Sequence, residues 1–378
     1  MSRIVLSEEF RELCHRLRCQ PATEGLQCWP VQQLQWLGQA GGWRWNMPIE
    51  CGGLGCSAIE LLEIYRDLSA ACLTTAFVLT QRNAACQRLV QAERPLVSRS
   101  LLRDLASGQL QATVGISHLT TSRQYLSRPA VVAEPAAGGW CLTGVVPWAT
   151  GAASSQLLVT GAVTADGLQL LVQLPLQQAG VTVGLPVELL GLSAAWTSEV
   201  HFEGVFVPQS AVLAGPCERV LSGGSAAVPA AGSLSTSAVA IGFGLGALAG
   251  FREEAELRAE LRPFVQRFEV ESEQLWQQLR VSAGVVGPGA VVSCCEGVPL
   301  TAEQVRTRSN SFALRTAQAW LAATRGAGYR SAHRASRAVR ESLFFLVWSC
   351  PQAVLESQLQ ELTVDWSDEE RRWRERGI

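Results

Sequence analysis

The chain has 378 residues, a net charge of −2 and an isoelectric point near 6.2, so it carries no basic signature for nucleic acid. All 31 basic residues are arginine, which rules out a phosphate-loop lysine or a Schiff-base lysine. The 12 cysteines are scattered with no C-x-x-C spacing and only Cys294-Cys295 adjacent, so no metal or iron–sulfur centre is expected.

From residue 8 to about 110 the pattern is helical. Phe10, Leu13 and Leu17, then Val31, Leu34 and Leu37, recur at helical spacing. A loop of Gly, Trp and Pro, residues 41–48, leads to Gly52-Gly53-Leu54-Gly55. Ser57, with Glu60 three residues on, reads as a helix N-cap. Apolar helices are expected over 72–90 and around 97–105.

At Gln111 the texture changes to short apolar runs punctuated by Gly, Pro, Ser and Asp, ending at Pro208. This predicts an antiparallel β-domain of about a hundred residues, sandwich or barrel. Within it, residues 145–151 read as a strand that stops and turns, with Trp148 and Thr150 facing outward together because strand side chains alternate. An indole and a hydroxyl so placed could wall and hydrogen-bond a planar heterocycle. No Arg or Lys falls between Arg128 and Arg219, so a phosphate-bearing ligand there needs backbone N–H groups or arginines from elsewhere.

Residues 220–250 carry no charge. Their wholly apolar part, 238–251, is shorter than the roughly 20 residues of a membrane span, so a buried helix rich in small residues is expected and no membrane span. A charged helix over 252–280, a loop over 284–297 and a helix capped by Thr301 with Gln304 follow. Arg325-Gly326-Ala327-Gly328-Tyr329 breaks that helix, and a last helical region starts near Ala335. Residues 368–378 are a charge run. The expected units are helical, 1–110; β, 111–220; a helical bundle, 221–366; and a charged tail, 367–378. No signal-peptide core follows Met1, and the chain is expected to be cytoplasmic with reduced thiols.

Four motifs in this order resemble the acyl-CoA dehydrogenase family. They are Pro48-Ile49-Glu50-Cys51-Gly52-Gly53-Leu54-Gly55; Trp148-Ala149-Thr150; the run from Gly191 through Thr197, Val200, Phe202, Val205 and Val207 to Pro208; and Gly326-Ala327-Gly328-Tyr329 followed by Arg340-Glu341. The resemblance covers roughly residues 34–348. It implies an α+β fold: an N-terminal helical domain, a central antiparallel β-domain and a C-terminal four-helix bundle. It also implies FAD, an acyl-thioester substrate, and assembly as a homodimer or homotetramer. Trp148 would then lie against the isoalloxazine, Ala149 would join it to Thr150, and Thr150 would approach the flavin N5. Ile116 and Ser117 would contact the pyrimidine edge, while Gly326 and Gly328 would let backbone approach the cofactor.

The chain departs from the pattern at the catalytic base. Ser349 stands where the family has a glutamate, and the alternative position falls near Ser235-Thr236; neither is acidic. A lone serine hydroxyl is too weakly ionised to replace a carboxylate, so no catalytic residue is assigned. Glu341, eight residues earlier, would lie about 12 Å away along a single helix. The family's glycine-rich phosphate loop reads here Ser117-His118-Leu119-Thr120-Thr121-Ser122-Arg123-Gln124. Three functions stay open: an FAD-dependent oxidoreductase on an acyl thioester or related substrate, a non-catalytic scaffold, and a flavin-dependent monooxygenase with His118 as its acid–base residue.

Overall fold

A computed structural model describes residues 4–5, 7–22, 24–26, 28–92, 98–120, 128–221, 234–284 and 300–363. Among the described residues five helices come first: α1 (Glu8–Cys19), α2 (Val31–Gln39), α3 (Ala58–Ala71), α4 (Leu73–Val90) and α5 (Arg99–Ser107). Their starts follow local chemistry. The Ser7 and Ser98 hydroxyls accept from backbone N–H groups at the heads of α1 and α5. Ser57 and Glu60 make a full capping box on α3.

Among the described residues eight strands then build one sheet: β1 (Ala112–Gly115), β2 (Val131–Ala136), β3 (Gly139–Thr150), β4 (Leu157–Thr164), β5 (Gln169–Pro175), β6 (Val181–Val183), β7 (Thr197–Pro208) and β8 (Val212–Cys217). The spatial order is β6-β7-β3-β2-β4-β5-β8, with β1 on β4. Most ladders are antiparallel, but β1–β4 and β2–β4 are parallel. Alternation of apolar residues sets which face is buried and says nothing of direction, so the sheet is mixed where an antiparallel one was expected.

The bundle consists of α6 (Leu234–Leu257), α7 (Arg262–Ser282), α8 (Ala302–Gly328), α9 (Arg334–Ser342) and α10 (Gln352–Leu362). Helix α6 is long and apolar enough to cross a membrane by length and composition, yet 72% of its apolar window is buried inside the fold. Its small residues account for this. A Cβ on Gly242 would stand 1.9 Å from the Arg66 carbonyl oxygen, and one on Gly246 would stand 2.6 Å from that of Ala70. The backbones of α6 and α3 therefore touch, and Ser69 of α3 donates to the Val239 carbonyl at 2.8 Å. On the other side Gly244 and Gly250 make room for Phe312 and Trp320 of α8.

Helix boundaries differ from expectation in two places, the last of them at Ser342, where the helix expected to run on toward Ser349 ends. The single helix expected over 252–280 is two: α6 runs on to Leu257, the chain extends at Arg258 (φ −139°, ψ 97°), and α7 begins at Arg262. Pro263 is the reason, since a proline fits the first turn of a helix and breaks its interior. Thr301 and Gln304 form the expected capping box on α8. The loop expected over 284–297 and the charged tail fall almost wholly outside the described residues.

Candidate functional site

The end of β3 is where the expected site residues gather. Strands β3 and β7 slip register between Val146 and Ala149, an irregularity that takes in Trp148 itself. The Trp148 indole is 46% exposed, whereas Ala149 is fully buried and Thr150 is 6% exposed. The outward placement expected of the pair therefore holds for Trp148 and fails for Thr150. Neighbouring strands cover the threonine: Thr113 of β1 donates to its carbonyl at 2.6 Å, and its hydroxyl lies 3.0 Å from that of Thr197 on β7. Ile116 and Ser117, both half-buried, follow directly from β1, where a 3-10 turn starts.

Two further tryptophans complete this corner: Trp29, which no motif includes, and Trp196, inside the run from Gly191 to Thr197. Gly151 turns the chain at φ 68°, and its N–H donates to the carbonyls of Ala195 and Trp196. A Cβ there would lie 2.9 Å from the Trp29 ring. Trp29 and Trp196 meet at 5.4 Å between ring centroids, and Trp196 Nε1 donates to the Leu26 carbonyl. Trp29 lies some 120 residues from Gly151 in the chain, and no local periodicity could pair them.

His118 is not a solvent-facing loop residue. It is 5% exposed, and its Nε2 lies 2.9 Å from the Gly161 carbonyl of β4, so Nε2 carries the proton. This anchors the ring to the sheet.

The glycines of the bundle are described by their own surroundings in α8. Gly326 and Gly328 close α8, where Arg325 has φ 54° and ψ −147°. A Cβ on Gly326 would meet open space, but one on Gly328 would stand 1.7 Å from the Thr324 hydroxyl. No hydrogen bond joins them to β3 among the described residues. The entry loop explains its own glycines: Gly53 N–H donates to the Pro48 carbonyl at 2.9 Å, and a Cβ there would fall 1.9 Å from the Met47 oxygen.

At the position expected for the base, Ser349 is exposed with φ 45°. Before it, the Trp348 ring stacks on Phe344 at 5.0 Å and meets Phe77 of α4 edge-on at 5.2 Å. Glu341 is not a substitute. Helix α9 ends at Ser342, so the two do not share a helix, and the Glu341 carboxylate is buried against Arg337 Nε at 2.8 Å. Burial raises its pKa above the ordinary 4.5, and Arg337 only partly offsets this. Among the described residues no His, Cys, Asp or Glu cluster could hold a metal.

The residues at the β3 corner suit a planar ring with polar edges. The indole offers an open flat face. The two threonine hydroxyls share one hydrogen bond, which leaves one O–H able to donate elsewhere. The sheet offers no arginine for a phosphate.

No protein-family model matches the chain. Over 193 residues it is 26% identical to the very long-chain specific acyl-CoA dehydrogenase, mitochondrial, of Rattus norvegicus; the alignment takes in 48% of this chain and 29% of that protein. The chain thus spans less than a third of that relative. Its fold matches butyryl-CoA dehydrogenase from Megasphaera elsdenii with a TM-score of 0.74 at 16% identity, over 96% of this chain and 99% of that one. It also matches the prolyl acyl carrier protein oxidase AnaB with a TM-score of 0.75 at 13% identity, over 96% and 100%. The resemblance read from the four motifs thus extends to the architecture of nearly the whole chain, which has the acyl-CoA dehydrogenase fold.

Proposed function

We propose that this chain is an FAD-dependent oxidoreductase acting on an acyl thioester or a related substrate, working in the cytoplasm as a homodimer or homotetramer. The observation that carries the reading is the half-exposed Trp148 indole at the bulged end of β3, beside a buried pair of threonine hydroxyls. Bound there, FAD would supply a two-electron acceptor. Trp148 would give the ring an apolar wall, and Thr150 with Thr197 would offer a donor to its edge. Ile116 and Ser117 stand at the neighbouring strand end. The cofactor's phosphates would need cations from outside the sheet, which supports a site completed by the helical layer or by a second copy. The ten cysteines among the described residues are all free, in keeping with a reducing compartment.

Ser349 favours one second reading, a non-catalytic relative that keeps the fold for binding. A hydroxyl at that exposed position cannot take an α-proton without a partner base. The monooxygenase reading is weakened because His118, its acid–base candidate, is buried and bonded to the sheet.

An absorbance spectrum of the purified chain, with and without added FAD, is the first test. Flavin bands followed by bleaching on anaerobic mixing with an acyl-CoA would support the enzyme. Flavin bands that no acyl-CoA or carrier-bound thioester bleaches would count against the substrate class. A colourless protein that takes up no FAD would leave the binding relative.

A further inference from the structure

Helices α7, α8 and α10 wall a polar cavity of about 420 Å³, and none of the residues of the β3 corner lines it. One face of α8 forms its floor. Thr307, Ser311 and Arg315 recur every fourth residue and Arg308 stands three before Ser311, so they share a side of the helix. A relay of hydrogen bonds ties the walls together. Arg315 donates from both terminal nitrogens to the Glu271 carboxylate of α7, and from Nε to Ser311 Oγ at 2.9 Å. Ser311 in turn donates to Glu361 of α10. The frame is therefore fixed before any ligand arrives.

Three groups that line the cavity stand outside this relay. Thr307 is 8% exposed, yet its hydroxyl has no hydrogen bond among the described residues, not even the back-bond to a preceding carbonyl that a helical threonine can make. A buried hydroxyl without a partner is costly, and a ligand that bonds it removes the cost. Neither the Arg308 guanidinium nor the Ser357 hydroxyl of α10 has a hydrogen bond or ion pair among the described residues.

The charges select the ligand. Two arginines and two glutamates line the cavity, so it is neutral as a whole but divided. Arg308 on α8 is unpaired, whereas Glu361 on α10 has one oxygen on Ser311 and the other without a partner among the described residues. An anion alone would meet Glu361 as well as Arg308, and a cation alone would meet Arg308. A molecule carrying both charges suits both walls. The volume falls in the range of about 300–1,000 Å³ typical of small-molecule sites.

We propose that this cavity binds a small zwitterion of the α-amino acid type. Its carboxylate lies on Arg308 and the Thr307 hydroxyl, and its ammonium on Glu361 and Ser357. Occupancy ties α8 to α10. The same two helices hold the turn before Ser349, since Asn310 of α8 and Gln358 of α10 both donate to the Phe345 carbonyl, at 2.9 and 3.3 Å. The bound zwitterion thereby steadies the turn that carries Trp348 and Ser349.

The site stands apart from the flavin reading, and its test needs no flavin. Thermal midpoints of the full-length protein are read against each of the standard L-amino acids, with propionate and ethylammonium as the two halves of the ligand alone. At about ten times its dissociation constant a bound amino acid should raise the midpoint by roughly 2 °C. The rise should saturate, and neither half should produce it. Arg308→Ala removes an exposed side chain with no partner among the described residues, so the protein should fold as before and the shift should vanish. Three results overturn the proposal: no amino acid shifts the midpoint, propionate shifts it as far as the amino acid does, or a folded Arg308→Ala protein keeps the full shift. A rise that grows with concentration without saturating, as with an excluded co-solute, overturns it as well. Hydrogen exchange at the amides of residues 345–349 should slow in the liganded protein, and unchanged exchange overturns the link to that turn.

Discussion

The hydroxyls of Thr150 and Thr197 face each other at 3.0 Å across the β3–β7 ladder, both buried. Losing either one leaves the other buried without that partner, at a cost of about 1–3 kcal/mol; losing both together is far milder. Thr150→Val and Thr197→Val should therefore each destabilise, and the double variant should cost clearly less than their sum. Urea unfolding of all four proteins measures this, and strict additivity would show that the pair is not coupled.

Trp148 should behave in the opposite way. Its indole is nearly half exposed, so Trp148→Ala should move unfolding stability by only about 0.5 kcal/mol. If the ring serves as a flavin wall, the same change should weaken FAD binding by about 0.5–1.5 kcal/mol, the range for aromatic pairs beyond area burial. Flavin fluorescence titration separates the two quantities. A large loss of stability with unchanged FAD affinity would make Trp148 a packing residue.

What could be read from the chain was what local chemistry decides. Ser57 with Glu60, and Thr301 with Gln304, are capping pairs three residues apart, and both form. Trp148 is legible because the Pro147 and the glycines that flank it, Gly144 and Gly151, belong to its own strand and turn. The outward placement expected of Thr150 fails because the residues that bury it, Thr113 and Thr197, lie 37 and 47 positions away. The Trp29–Trp196 contact and the parallel β1–β4 and β2–β4 ladders are long-range for the same reason. Pro263 was visible, but the charged pattern on either side of it masked the break it makes.

Glu341 gives the bundle a pH dependence with a definite sign. Its folded pKa is raised, chiefly by burial, so the native state holds the proton more tightly than the unfolded chain does. The contribution is fully present below about 4.5, the ordinary carboxyl value, and is lost as pH rises through the folded value. Glu341→Gln should flatten that part of the stability curve. Thermal midpoints read across the acidic range would show it; a Gln variant with the same slope there would assign the titration to another group. The Arg337 side chain, 2.8 Å away, limits the size of the effect without reversing it.

Arg325 is the clearest site of stored strain. With φ 54° and ψ −147° it occupies a region that is essentially glycine's, in a chain segment where Gly326 and Gly328 stand one and three positions on. Such a backbone costs about 1–3 kcal/mol in a residue with a Cβ. The side chain is exposed and has no hydrogen bond or ion pair among the described residues to offset this. Arg325→Gly should therefore raise stability, although glycine's greater freedom in the unfolded chain returns part of the gain, about 0.4–1 kcal/mol. Arg325→Ala is the control: it removes the charge and keeps the Cβ, so it should stay near the parent. A higher unfolding midpoint for the glycine variant alone would locate the strain in the backbone. Equal gains for both would move the cause to the guanidinium, and a loss in the glycine variant would mean that the parent does not hold this φ in solution.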